Sequence, residues 1–146
     1  MNYVEVTGGK LYQRKYVESL AYFCLKMLMP RKNNLEININ LKTLNEDAHG
    51  YCLAVDSNEY ELEIDKTLTL RKLLTTVAHE LVHVKQYARK ELKEDYVWLG
   101  RTYAPKKTDY WDRPWEIEAH GRECGLFVRW AEANKLGKRK WTHDKL

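Results

Sequence analysis

The hydrophobic positions change period several times along the chain, and each change marks an element. Residues 12–29 place Tyr16, Leu20, Phe23 and Met27 at helical spacing, and Pro30 stops the run. Residues 35–42 switch to strict alternation. Leu35, Ile37, Ile39 and Leu41 fall on one side and Glu36, Asn38, Asn40 and Lys42 on the other, which predicts a strand with one buried face. A polar turn from Asn45 to Gly50 follows. Residues 51–55 and 59–65 flank Asp56-Ser57-Asn58 and read as a hairpin. In its second arm Tyr60, Leu62 and Ile64 oppose Glu59, Glu61, Glu63 and Asp65, an acidic row that discourages stray edge pairing. From Leu70 to Lys93 the pattern is helical, with Thr67 or Thr69 as a cap and Leu73, Leu74, Val77, Leu81 and Val84 as one apolar stripe. Residues 95–113 lack a period and contain Gly100 and Pro105; residues 114–134 are helical again, opened by Pro114 in the first turn. Residues 1–10 read as a loose start with a Gly8-Gly9 turn.

Strands grouped between helices predict an α+β fold, with an N-terminal, a central and a C-terminal helix packed on a small, three-stranded, mostly antiparallel sheet. No repeat or low-complexity linker divides the chain. It is expected to form a single domain over 1–134, followed by a basic tail over 135–146.

Composition narrows the function classes. At 146 residues the chain can bury a core without disulfide staples. Its longest apolar run, Leu20 to Met29, is interrupted by Lys26 and falls short of the ~20 residues of a membrane span. The start, MNYVEVTGGK, lacks the features of a secretory signal. Cys24, Cys52 and Cys124 show no CxxC spacing, so reduced thiols in a cytoplasmic protein are expected, with Cys24 and Cys124 buried for packing rather than bound to metal. The formal charge is +4, and the last twelve residues carry all of it in Lys135, Lys138, Arg139, Lys140 and Lys145 against Asp144. The folded body is therefore neutral. A nucleic-acid protein carries its basic face on the body, so nucleic acid is expected only as a weak partner of a solvated tail.

Chemistry enters at His79-Glu80-Leu81-Val82-His83, an HExxH sequence inside the second helix. Two histidines four apart lie about 40° from each other on one face and one turn apart along the axis. Both imidazoles can therefore reach one ion. Glu80 falls about 60° beyond His83, close to that ion without binding it, where a general base must stand. A hydrolytic zinc site uses three protein ligands and keeps one open position. Phase on the last helix selects the third. With Glu116 at zero, His120, Glu123, Phe127 and Trp130 all lie within about 40° of it, whereas Glu118 falls on the opposite side, paired at i,i+4 with Arg122. Glu116 is the expected ligand. His120 is a substitute ligand or supporting partner, Glu123 a supporting candidate, and Glu118 is expected at the surface.

With His79, Glu80, His83 and the segment Glu116-x-x-Ala119-His120 in place, the chain resembles small zincin metallopeptidases of the gluzincin kind. There, HExxH on one helix is completed by a Glu on a later one. It also resembles compact metallopeptidases of phages and bacteria with a HELxHxxQ helix, the form taken here from His79 to Gln86. The resemblance covers roughly residues 30–134. It implies a zincin-like strand–helix core, one Zn2+ per chain, a protein or peptide substrate bound extended along the sheet edge, and hydrolysis of its peptide bonds. Thermolysin-type enzymes carry Asn before the ligand Glu and Asp four residues after it; Trp115 and His120 stand there in this chain.

The expected mechanism has zinc on His79, His83 and Glu116 activating water, and Glu80 moving its proton. A further donor must meet the developing oxyanion, with Tyr103, Tyr110 and His120 as candidates and Arg122 disfavoured by its solvated face. Between Glu94 and Trp115 stand six aromatics: Tyr96, Trp98, Tyr103, Tyr110, Trp111 and Trp115. They predict either an ordered loop packed on the helices or a wall or lid of the cleft. The rival functions are a non-catalytic zinc-stabilised interaction module, a zinc amidase on cell-wall links, and a DNA-tethered protease using the tail.

Overall fold

The computed structural model describes residues 1–45 and 47–146. In chain order the main elements are β1 (Tyr3–Gly8), α1 (Leu11–Leu28), β2 (Glu36–Lys42), β3 (Gly50–Asp56) and β4 (Glu59–Asp65). They continue with α2 (Leu70–Ala88), β5 (Leu92–Lys93), β6 (Val97–Trp98), β7 (Arg101–Thr102) and α3 (Pro114–Ala133). The class is α+β. The polar turn expected from Asn45 to Gly50 includes Glu46, which lies outside the described residues.

The sheet differs from the expected three-stranded, mostly antiparallel one. It has four strands in the order β1-β2-β4-β3, and only the β3–β4 hairpin is antiparallel. β1 pairs parallel with β2 from Tyr3↔Glu36 to Gly8↔Leu41, and β2 pairs parallel with β4 from Glu36↔Glu59 to Lys42↔Asp65. The loose start is thus a strand, and α1 is the crossover that parallel neighbours require. Gly8 ends it at φ 79°, where a Cβ would stand 2.1 Å from the Leu41 carbonyl oxygen, so no other residue fits there. β4, expected to need edge protection, lies inside the sheet; β3 folds past it to become the edge. Burial gives the reason. Tyr60, Leu62 and Ile64 on β4 are at most 1 % exposed, whereas Tyr51, Leu53 and Val55 on β3 are exposed.

All three helices lie on one face of this sheet. Leu35, Ile37, Ile39 and Leu41 share one buried core with Val17, Leu20, Ala21, Cys24 and Leu28 of α1. That line is rotated from the expected one: Met27 is exposed, and Tyr16 and Phe23 flank the core. α2 lies between α1, the sheet and α3, so it is wrapped nearly all round. The stripe Leu73, Leu74, Val77, Leu81, Val84 has no exposed surface. Thr69 holds the N-cap position without a side-chain capping bond, and Thr67, the other cap candidate, bonds Asp65 instead. α3 is tied to α1 by Trp130, whose Nε1–H donates to Ser19 Oγ at 3.0 Å.

The segment 135–146 is not a solvated tail throughout. Leu136 and Thr142 are buried and Trp141 packs against Tyr16, while the basic side chains face outward. Cys124 is exposed, contrary to expectation, because it sits on the outer side of α3; Cys24 is buried. No helix among the described residues is long and apolar enough to cross a membrane.

Candidate metal centre

α2 delivers His79 and His83 one turn apart, both buried, with ring centroids 4.9 Å apart. Their Nε2 atoms face each other at 3.2 Å. The first turn of α3 brings Glu116 to the same point. Its Oε1 lies 3.0 Å from His79 Nε2 and 3.3 Å from His83 Nε2. Three donors held about 2.0–2.1 Å from a tetrahedral ion stand about 3.3 Å apart, so this triangle has the size and the N2O donor set that such an ion takes. His79, His120 and Glu123 form a second group of potential ligand atoms, and Glu80 stands close enough to the two α2 histidines to complete a third.

Each histidine is held from behind through Nδ1. His79 Nδ1 lies 3.2 Å from Glu123 Oε1, and that oxygen also meets His120 Nδ1 at 2.6 Å. His83 Nδ1 lies 2.8 Å from Gln86 Oε1. The Tyr110 hydroxyl donates to Glu116 Oε1 at 3.0 Å and sits 3.0 Å from His120 Nε2.

The charges are strongly coupled. Burial opposes a proton on His79, but the carboxylates of Glu116 and Glu123 outweigh it and raise its pKa from 6.5 to about 10. His83 moves the same way against its own burial, drawn by Glu116 and Glu80. Glu116 resists burial through bonds to both histidines and is held well below the usual carboxylate range. Glu80 behaves differently: burial dominates and pushes its carboxyl up. Burial and then Glu116 raise the Tyr110 hydroxyl.

Beside the triangle opens a cleft of about 670 Å³. Gly50 at the start of β3, with the residues just before it, forms one wall, and Tyr110 and Trp111 form another. Thr75, Thr76, His79 and Glu80 of α2 line it between them. A side chain at Gly50 would press on Ile64 Cδ1 and Thr76 Cγ2, both 3.0 Å from an added Cβ, so this glycine lets the edge strand lie close to α2.

Of the residues singled out from sequence, His79, Glu80, His83, Glu116, His120, Glu123 and Tyr110 gather around this point. Tyr103 does not line the cleft. Its ring stacks edge-on against Trp115 at 5.7 Å with Arg101 over it at 5.2 Å. The aromatic loop is therefore divided. Tyr96 and Tyr103 pack on the buried Trp115, and a small β5-β6-β7 sheet orders the stretch, while Tyr110 and Trp111 face the cleft.

Glu118 is not the surface residue expected. It keeps the bond from Arg122 Nε at 3.0 Å, but it also accepts from Lys85 Nζ at 2.6 Å and from Gln86 Nε2 at 2.9 Å. Those bonds and Lys85 overcome burial and lower its pKa. Sequence reading gave Lys85 and Gln86 no role at the site and placed Glu118 at the surface. The available signal was the amide of Gln86, three residues beyond His83 on the same helix. No family model, no curated protein and no solved structure matches this chain.

Proposed function

We propose that the protein is a zinc-dependent metallopeptidase, with one Zn2+ held by His79, His83 and Glu116. The observation that carries this is the convergence of three donor atoms into an ion-sized triangle, with a buried carboxylate, Glu80, beside it on the cleft wall. Bound there, zinc supplies a Lewis acid that lowers the pKa of water and polarises a carbonyl. Glu80 takes the proton of the attacking water and passes it to the leaving amine. Tyr110 and His120 stand at the triangle and Tyr103 packs on Trp115, so the oxyanion donor in this proposal is Tyr110 or His120. A peptide lies extended beside β3, the edge strand bordering the cleft. Three free cysteines suit a reducing compartment such as the cytoplasm.

The test compares zinc content and hydrolysis of casein, a peptide library and muropeptides. Wild type binds one zinc and cleaves protein or peptide. Glu80→Gln keeps zinc and loses about 10³ in turnover, and Glu116→Ala loses the zinc. Zinc bound with no cleavage, indifferent to Glu80→Gln, would establish a zinc-stabilised interaction module instead. Cleavage confined to muropeptides would establish an amidase.

A further inference from the structure

We infer that Gln86 is a positioning residue that fixes His83 as its Nδ1–H tautomer and so turns the Nε2 lone pair toward the triangle. The link to metal binding rests on the proposed zinc site; the tautomer assignment rests on hydrogen bonds alone.

Gln86 has no exposed surface, so every polar atom of its amide must find a partner inside the protein. Its Nε2 lies 2.9 Å from the Trp115 carbonyl oxygen and 2.9 Å from Glu118 Oε1. Both are acceptors only, and together they use both N–H bonds of the amide. Rotating the amide by half a turn would set its oxygen against a carbonyl and a carboxylate, with no hydrogen on either side. The orientation is therefore unambiguous, and Oε1 faces His83 Nδ1 at 2.8 Å. An amide oxygen can only accept, so Nδ1 carries the hydrogen. A neutral imidazole has one N–H, which leaves Nε2 as the lone-pair donor.

Glu118 makes the arrangement rigid. Its Oε2 is taken by Lys85 and Arg122, leaving Oε1 for Gln86. Lys85 is itself buried and also holds Glu91 at 2.8 Å. The Trp115 carbonyl that receives the other N–H belongs to the residue just before Glu116. One side chain thus registers α2 against α3 and sets the tautomer of one ligand. His79 is backed differently, by a carboxylate. Outer partners of this kind are worth about 10–100-fold in metal affinity.

The test is long-range ¹H–¹⁵N NMR on histidine-labelled, metal-free protein, carried up in pH until each imidazole shows a single N–H, alongside zinc affinity by chelator competition. In wild type His83 shows a protonated Nδ1. In Gln86→Met, which keeps the length and removes the acceptor, His83 shifts toward the Nε2–H form and zinc affinity falls about 10–100-fold. An Nε2–H tautomer in wild type overturns the inference whatever zinc does, and so does an unchanged tautomer and affinity in Gln86→Met. A wild type with the Nδ1–H tautomer that binds no zinc upholds the assignment and refutes the metal proposal. The wild-type measurement decides the tautomer even if Gln86→Met does not fold.

Discussion

The two histidines of α2 share a face and a residue type, yet their surroundings are opposites. Behind His83 lies a closed flank: a neutral amide, a carboxylate tied down by Lys85, and little solvent. Behind His79 lies an open flank, where Glu123, His120 and Tyr110 form a titratable network along the cleft. In the proposed hydrolytic centre the contrast separates two jobs. A group that must only hold geometry is served by buried, fully paired partners, whereas groups that exchange protons with a reaction must reach the place where it happens. Changes on the closed flank should therefore alter stability and metal affinity, and changes on the open flank should alter turnover.

The largest effect that sharpens this division comes from Lys85→Met. It leaves Glu91 and Glu118 without their shared cation, and both side chains are about four-fifths covered. Removing one partner of such a cluster costs about 3 kcal/mol, read as a lower urea midpoint at unchanged m-value. Next is Tyr110→Phe, which should lower kcat about 10²-fold while zinc affinity stays within about twofold. An equal loss of affinity and kcat would place Tyr110 with the holding groups and erase the distinction.

The third prediction uses pH. In metal-free protein the folded-state pKa of His79 is raised from 6.5 to about 10, so its contribution is complete below 6.5 and is lost as pH rises toward 10. Glu116 is lowered from 4.5, so its contribution is complete above 4.5 and is lost as pH falls. The Tm advantage of metal-free wild type over His79→Asn should be widest between pH 4.5 and 6.5 and shrink on both sides. The smallest effect belongs to Arg122→Ala. Arg122 is half exposed, and its loss should cost under about 0.5 kcal/mol, showing that Lys85 and Gln86, not Arg122, hold Glu118.

Much of this was legible in the residue pattern, for reasons that also explain what was not. β2, β4, α2 and α3 announce themselves because each has one clean period and a buried face. HExxH is self-contained, since both histidines and Glu80 belong to one helix. Glu116 could be picked out by phase because only its own helix had to be considered. β1 escaped because Val4 and Val6 are a short signal beside two glycines, and its pairing depends on β2, far along the chain. Strand order escaped because β4 inserts between β2 and β3, while adjacency in sequence suggested a simple meander. Glu118 escaped because a helical wheel marks which way a residue points but not whether another helix lies there. Lys85 and Gln86 reach it from α2, and no periodicity of α3 records that.

The most direct test is a crystal of the zinc-loaded protein with diffraction recorded on both sides of the zinc absorption edge. The proposed site predicts one strong anomalous peak in contact with His79 Nε2, His83 Nε2 and a carboxylate oxygen of Glu116, and no such peak in Glu116→Ala. A wild-type peak seated instead between His120 and Glu123, or no peak at all, would contradict it.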